Sequence, residues 1–299
     1  MATILSDASR NTTRSLLGLI STPNILSLDA PVVAIGWQWL MIFAYLNPAA
    51  HKYVESSFVS TVVLFLTVWL IYMADRLMDC WRMDFSHRVS MRHRFANRWS
   101  TVLWPLWFGV LIACGFMAIS NLPRELLVAG SILLGFVFVY SGAVHYCQTV
   151  QSCLPKEFIV GSLFAVGVSL PVLISRVTVS AVISVGLLAA LFVLNCLCVA
   201  KAQRPSDRQQ GFGSAILMYP FLATRLPWLA GLLAAMSAGL GASGWIPTSI
   251  AITTSLSGIV LILVVRMMDH EAWGIRAPQW GQLADYALLS PFIVMVVSG

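Results

Sequence analysis

The chain has 299 residues, 59% of them hydrophobic and 10% charged, with a formal net charge of +6. A water-soluble domain carries about a quarter of its residues as charges, so this composition excludes one and points to helices embedded in lipid. The basic excess calls for no nucleic acid, because membrane topology and anionic headgroups account for it.

Apolar runs long enough to cross a bilayer, roughly 17–25 residues each, recur along the chain. We read about nine, at 29–46, 57–76, 101–120, 124–142, 156–174, 178–200, 214–242, 247–267 and 283–298. Residues 1–28 read as a polar cytoplasmic segment without the compact apolar core of a cleavable signal peptide. The seventh run contains Pro220, Arg225 and Pro227, so it is expected to open as a short broken segment and to span from about Leu226. The expected fold is an all-α polytopic membrane protein forming a single domain over 1–299. Its motif-bearing cytoplasmic loops are expected at 77–100 and 201–213.

The basic residues set the orientation. With a cytoplasmic N-terminus, Arg10, Arg14, Arg76, Arg82, Arg88, Arg92, Arg94, Arg98, Lys156, Lys201, Arg204, Arg208, Arg225, Arg266 and Arg276 all fall inside. Lys52, Arg124 and Arg176 fall outside. This asymmetry matches the positive-inside rule and predicts an integral membrane protein with a cytoplasmic N-terminus. Cys80, Cys114, Cys147, Cys153, Cys196 and Cys198 form no CxxC pair and no zinc spacing, so reduced packing cysteines are expected.

Acidic residues are scarce, and their positions are informative. The stretch "LTVWLIYMADRLMDCWRMD" (66–84) closes the second run with Asp75, Asp79 and Asp84. Residues three and four apart share a helix face, so Tyr72, Asp75 and Asp79 line one stripe. A carboxylate near lipid is costly unless it meets protein, water or a cation. Two on one face repel, and Mg²⁺, which takes one or two protein carboxylates plus water and substrate phosphates, would relieve that repulsion. The bland alternative is an interfacial helix end whose aspartates pair with Arg76 or Arg82. The sixth run ends in a similar switch, "LNCLCVAKAQRPSDRQQG", supplying Asn195, Lys201, Gln203, Arg204, Asp207 and Arg208. Two such junctions on one side suggest two walls of one site around an internal cavity. Asp269, His270 and Glu271 read as a solvated loop, and Asp285 as an aspartate favoured by a helix N-terminus. Trp37 and Gln38 are candidates to face the cavity; the tryptophans at 69, 81, 99, 104, 107, 273 and 280 read as interfacial belt residues.

These residues resemble the UbiA-type intramembrane prenyltransferase superfamily, whose nine-helix bundle carries two aspartate-rich motifs after the second and sixth helices. "YMADRLMD" keeps two aspartates of the first motif as Asp75 and Asp79, with Arg76 between them and Tyr72 in the place of an earlier aspartate. "QRPSDRQQG" keeps Asp207, Arg208 and Gly211 of the second, with Gln203 where an aspartate is usual. After Tyr146 the expected basic pair is absent, leaving Lys156. Within the superfamily, "RHRF" (92–95), "PKEFIVGSLFAVGVSLP" (155–171), "LNCL" (194–197) and "LADYALLSP" (283–291) look like a bacterial branch.

The resemblance implies a bundle around a central cavity and a Mg²⁺-dependent transfer of a polyprenyl group from its diphosphate to a lipophilic, aromatic acceptor. It implies Asp75, Asp79 and Asp207 as metal ligands and catalytic residues. Arg82, Arg88, Lys201, Arg204 and Arg208 would contact the diphosphate, and Tyr72, Asn195 and Gln203 would line the substrate. Two rivals remain at this point: a terpene cyclase of the same chemistry, and a non-catalytic carrier or binding protein for a lipid diphosphate. Charges confined to span ends weigh against a transporter.

Overall fold

The computed structural model describes residues 23–46, 51–86, 89–146, 155–270 and 277–298, and among them every regular element is helical. Lipid offers no hydrogen bonds, so a spanning backbone must satisfy its own N–H and C=O groups, which a helix does within one segment. In chain order the helices are α1 (Asp29–Tyr45), α2 (His51–Cys80), α3 (Met91–Arg98), α4 (Ser100–Asn121), α5 (Arg124–Tyr146) and α6 (Lys156–Ser175). They continue as α7 (Val179–Gln210), α8 (Ala215–Met218), α9 (Phe221–Ala242), α10 (Thr248–Asp269), α11 (Ala277–Tyr286) and α12 (Ser290–Ser298), with a 3-10 turn at Ala287–Leu289 joining the last two.

Eight of the described helices are long and apolar enough to cross a membrane; α11, the 3-10 turn and α12 act together as one, over Gln279–Val297. The expected nine runs correspond to these eight plus α1, whose 17 residues stand at the lower limit for a span. The seventh run is broken as expected, but the long helix resumes at Phe221 rather than near Leu226, directly after Pro220.

Both stretches expected as motif-bearing loops are largely helical. Within 77–100, α2 continues to Cys80 and α3 forms a short helix of its own. Within 201–213, α7 runs on to Gln210 and stops at Gly211, whose φ of 71° is the left-handed C-terminal cap that glycine adopts without strain. Polar composition marked where the lipid ends, not where the helix ends.

The core gathers on α1 and α7. Trp37, Leu40 and Met41 of α1 and Leu188, Leu191 and Leu197 of α7 are fully buried. Trp37 donates its indole N–H to the Leu288 carbonyl at 3.0 Å and meets Phe192 edge-on, so its contacts are those of a packing residue. Trp280, expected in the interfacial belt, is likewise buried in this core, because α11 lies against α7 at that point. Helix association in lipid rests on close van der Waals packing, which small residues permit. At Gly161 of α6, a Cβ would stand 2.6 Å from the Val193 backbone nitrogen of α7. A second cluster, Met73, Leu77, Ala96 and Leu103, locks α3 between α2 and α4. None of the apolar stretch of α5 is buried, which leaves that helix as an outer wall against lipid.

Candidate functional site

The two acidic junctions meet at one end of the bundle. Gln210, at the end of α7, accepts from the Asp84 backbone N–H at 3.1 Å and donates its amide to the Asp84 carbonyl at 3.0 Å. Beside this clasp, the Arg82 guanidinium lies 5.8 Å from the centroid of the Phe212 ring, within cation–π range. Asp207 is within electrostatic reach of Asp79 and of Lys156, Arg92 and Glu157. Residues more than a hundred positions apart therefore share one polar region.

On α2, Tyr72 and Asp79 are half-buried and Asp75 is exposed. Arg76 turns the other way and is buried. Its guanidinium donates to the carbonyls of Asn24 at 2.6 Å and Ile25 at 3.4 Å. Trp69 donates to the neighbouring Leu26 carbonyl at 3.1 Å, and Asn24 in turn donates to the Asp29 carboxylate. Arg76 thus works as a strut that fixes the turn before α1.

Asp79 is supported from α3. The His93 ring nitrogen Nε2 stands 3.6 Å from an Asp79 oxygen, a contact longer than a hydrogen bond. The other ring nitrogen is within 2.6 Å of the Ser90 hydroxyl. Burial pushes the His93 imidazole down to about 4, against the opposing pull of Asp79, so the ring is neutral at pH 7.

Deeper in the bundle, the Asn195 amide of α7 donates to Asp285 of α11 at 2.9 Å. The electrostatic neighbours of Tyr72 are Cys196, Asp285, Asp29 and Asp75; those of Tyr140 on α5 include Asp75, Glu157 and Cys196. Tyr72, Cys196 and Asp285 are enclosed by protein, yet each keeps some accessible surface. All three are half-buried and within electrostatic reach of one another.

The sequence-derived candidates divide into groups. Tyr72, Asp75, Asp79, Arg82 and Asp207 lie toward this end of the bundle, and Asn195 lies deeper along α7. Arg204 and Arg208 are exposed on the terminal turns of α7, and Gln203 is half-buried there. Lys201 points elsewhere: its ammonium is 2.6 Å from Asp269 of α10 and 3.0 Å from the Ala223 carbonyl of α9. Asp269 is paired in this way while remaining exposed, in line with its reading as a solvated residue. Arg88 lies outside the described residues. Among the described residues, no three histidine, cysteine or carboxylate groups stand close enough to hold a metal together. Asp75 and Asp79 stand four residues apart on α2, so a cation held there would have to take most of its ligands from outside the protein.

Sequence reasoning passed over three residues of this region. Asp29 opens α1 and is buried against Asn24. Glu157 is buried at the start of α6, with both carboxylate oxygens 3.1 Å from the Ala215 backbone N–H. His93 sits inside the quoted "RHRF" but was read with its arginines. The signal for the two acids was present, since each stands at the mouth of an apolar run, as Asp285 does.

No family model matches the chain, and no curated protein does. A solved structure, from work on the biosynthesis of digeranylgeranylglyceryl phosphate synthase in membranes, aligns over 96% of this chain and 95% of its own, with a TM-score of 0.50 and 13% identity. The likeness is one of fold. It extends through all the spans, so the helices that carry the two junctions belong to a bundle of the same overall design.

Proposed function

We propose that this chain is a UbiA-type prenyltransferase that moves a polyprenyl group from its diphosphate to a lipophilic, aromatic acceptor within the membrane. The observation that carries the reading is the meeting of the two acidic junctions, with Gln210 clasping Asp84 and Asp79 within electrostatic reach of Asp207. The fold shared with a membrane synthase adds to it. The distribution of basic residues supports a cytoplasmic N-terminus and a cytoplasmic site.

In this reading the diphosphate headgroup rests at the motif end, and the prenyl chain extends into the apolar bundle. Asp75 and Asp79 would hold Mg²⁺, with Asp207 facing them from the opposite wall. When bound, the metal neutralises charge building on the leaving diphosphate. Arg82, Arg204, Arg208 and Arg88 supply guanidinium groups suited to phosphate oxygens. Lys201 drops out of that set because Asp269 and the Ala223 carbonyl occupy it. The Tyr72 ring, on the same helix face one turn below Asp75, offers a π-face to a developing allylic cation. Arg76 and His93 hold the α2 face in place from behind.

A second reading, a lipid-diphosphate binding protein without turnover, is favoured by Gln203 in an acid's place and by the lack of a three-acid cluster among the described residues. One experiment separates the two. The purified protein is reconstituted in vesicles and given prenyl diphosphates of several lengths, Mg²⁺ and a bacterial membrane extract, and products are identified by mass. A prenylated product with release of diphosphate supports transfer. Stoichiometric binding with no diphosphate released supports the binding protein, and cyclised hydrocarbon formed without extract supports a cyclase.

A further inference from the structure

The Asn195–Asp285 pair has no task in the headgroup chemistry just described. Asn195 lies twelve residues before Asp207, about 18 Å back along α7, and so stands well below the diphosphate end. Asp285 comes from a different span, and its electrostatic neighbours include Tyr72, Arg76 and Asp29. Arg92 is a further electrostatic neighbour of Asp285, and Tyr72 itself lies roughly 5 Å, about one helical turn, before Asp75 along α2. A carboxylate only accepts hydrogen bonds, so the Asn195 group that faces it must be the amide N–H. The other end of that amide, Oδ1, is buried and has no hydrogen-bond partner, although Asn195 itself is 7% exposed. Buried polar atoms in native proteins nearly always find a partner. Beside the half-buried Asp285 carboxylate, which accepts from the Asn195 N–H, this carbonyl oxygen is a buried acceptor that lacks a donor.

We propose that Asp285 and Asn195 form the acceptor subsite of the enzyme, recognising an O–H group on the incoming lipophilic molecule, with Asp285 taking its proton. The inference rests on the prenyl-transfer reading and names what that reading leaves open, the polar group of the acceptor. Two hydrogen-bond acceptors side by side select a donor, so a phenol or alcohol fits and its methyl ether does not. In the step, the prenyl C1–O bond breaks and the diphosphate leaves with the electron pair. The acceptor oxygen bonds to C1, and the proton it sheds passes to the ionised Asp285 carboxylate. Asn195, through its N–H, keeps that carboxylate oriented and is a positioning residue as well as a contact for the hydroxyl.

The test compares 4-octylphenol with 4-octylanisole, which differ by one methyl group on the oxygen. Binding of each to the detergent-solubilised full chain is measured by equilibrium dialysis, and release of diphosphate from farnesyl diphosphate is followed separately. The phenol is expected to bind at least tenfold more tightly than the ether, and Asp285→Asn and Asn195→Ala are each expected to bring the ratio to within twofold of one. Asp285→Asn is further expected to keep the KM for farnesyl diphosphate while lowering the rate of prenyl–oxygen bond formation on the phenol by 10²-fold or more, the usual contribution of a general base. Equal binding of phenol and ether by the unaltered protein overturns the inference, as does an Asp285→Asn variant that still discriminates. Should Asp285→Asn lose its fold, Asn195→Ala alone decides through the binding ratio. Phenol selectivity without any diphosphate release leaves the subsite standing and removes the transferase reading instead, so the two can fail separately.

Discussion

Gln210 holds the backbone of Asp84 from both sides, its carbonyl oxygen 3.1 Å from the amide N–H and its own N–H₂ 3.0 Å from the carbonyl. The two residues are 126 positions apart and come from the segments that end α2 and α7. This clasp sets the spacing between the walls that carry Asp79 and Asp207. Each hydrogen bond is exposed, so each contributes about 0.5–1 kcal/mol. Gln210→Ala is therefore expected to lower stability by about 1 kcal/mol and to raise the KM for prenyl diphosphate several-fold with kcat less affected. Steady-state kinetics on the reconstituted variant check this; an unchanged KM would mean the clasp does not set the headgroup site.

Asp75 and Asp79 stand four residues apart on α2 and are the proposed Mg²⁺ ligands. Asp75→Asn and Asp79→Asn should each reduce Mg²⁺-dependent diphosphate release by 10²-fold or more, in keeping with the several kcal/mol a Lewis-acid metal supplies. Circular dichroism and membrane insertion should remain as in the parent. Turnover retained in either variant removes that residue from the metal site.

Gly161 and Gly135 make a matched pair of controls on packing. A Cβ at Gly161 would lie 2.6 Å from the Val193 nitrogen and 2.9 Å from the Phe192 carbonyl carbon, both backbone atoms that cannot yield without moving α7. At Gly135 on the lipid-facing α5, a Cβ meets nothing within 4 Å. Gly161→Val is expected to cost about 1–3 kcal/mol through overpacking, lowering the thermal midpoint in detergent, whereas Gly135→Val should leave it unchanged. Equal effects at both positions would contradict the packing described.

His93 couples stability to acidity. Its pKa falls from 6.5 to about 4 on folding, chiefly through burial. Between those values the unfolded chain binds more protons, so the His93 contribution is complete above about pH 6.5 and drains away as the pH falls toward 4. The gap corresponds to ~3 kcal/mol at most. Melting curves from pH 7 to 4.5 should therefore fall more steeply for the parent than for His93→Gln, which has no proton to gain. Parallel slopes would show that the ring is not buried in its neutral form.

Lys201 shows how residue type and residue role part company. As a basic residue beside Asp207 and Arg208 it reads as a phosphate ligand, yet the helix turns it to the opposite side. There it closes an ion pair of 2.6 Å with Asp269. Lys201→Met should lower the thermal midpoint, an ion pair of this kind contributing about 1 kcal/mol. A raised KM for diphosphate with an unchanged midpoint would return Lys201 to the headgroup. Arg76, weighed from the sequence as an ion-pair partner of the aspartates, serves in the structure as a buried strut for the turn at Asn24 and Ile25.

Composition and run length alone determined that this is a helical membrane protein, because lipid permits few other ways to satisfy a backbone, and the span boundaries follow from where apolar residues cease. They also located both acidic junctions, since carboxylates are too costly in hydrocarbon to be scattered. The direction in which each charged side chain points was settled only by the tertiary structure: that Arg76 reaches the Asn24 and Ile25 carbonyls, that Lys201 meets Asp269, and that Asn195 reaches across to Asp285. Those outcomes depend on how helices rotate and approach one another, and in a bundle apolar on every side no amphipathic pattern records that rotation in the sequence.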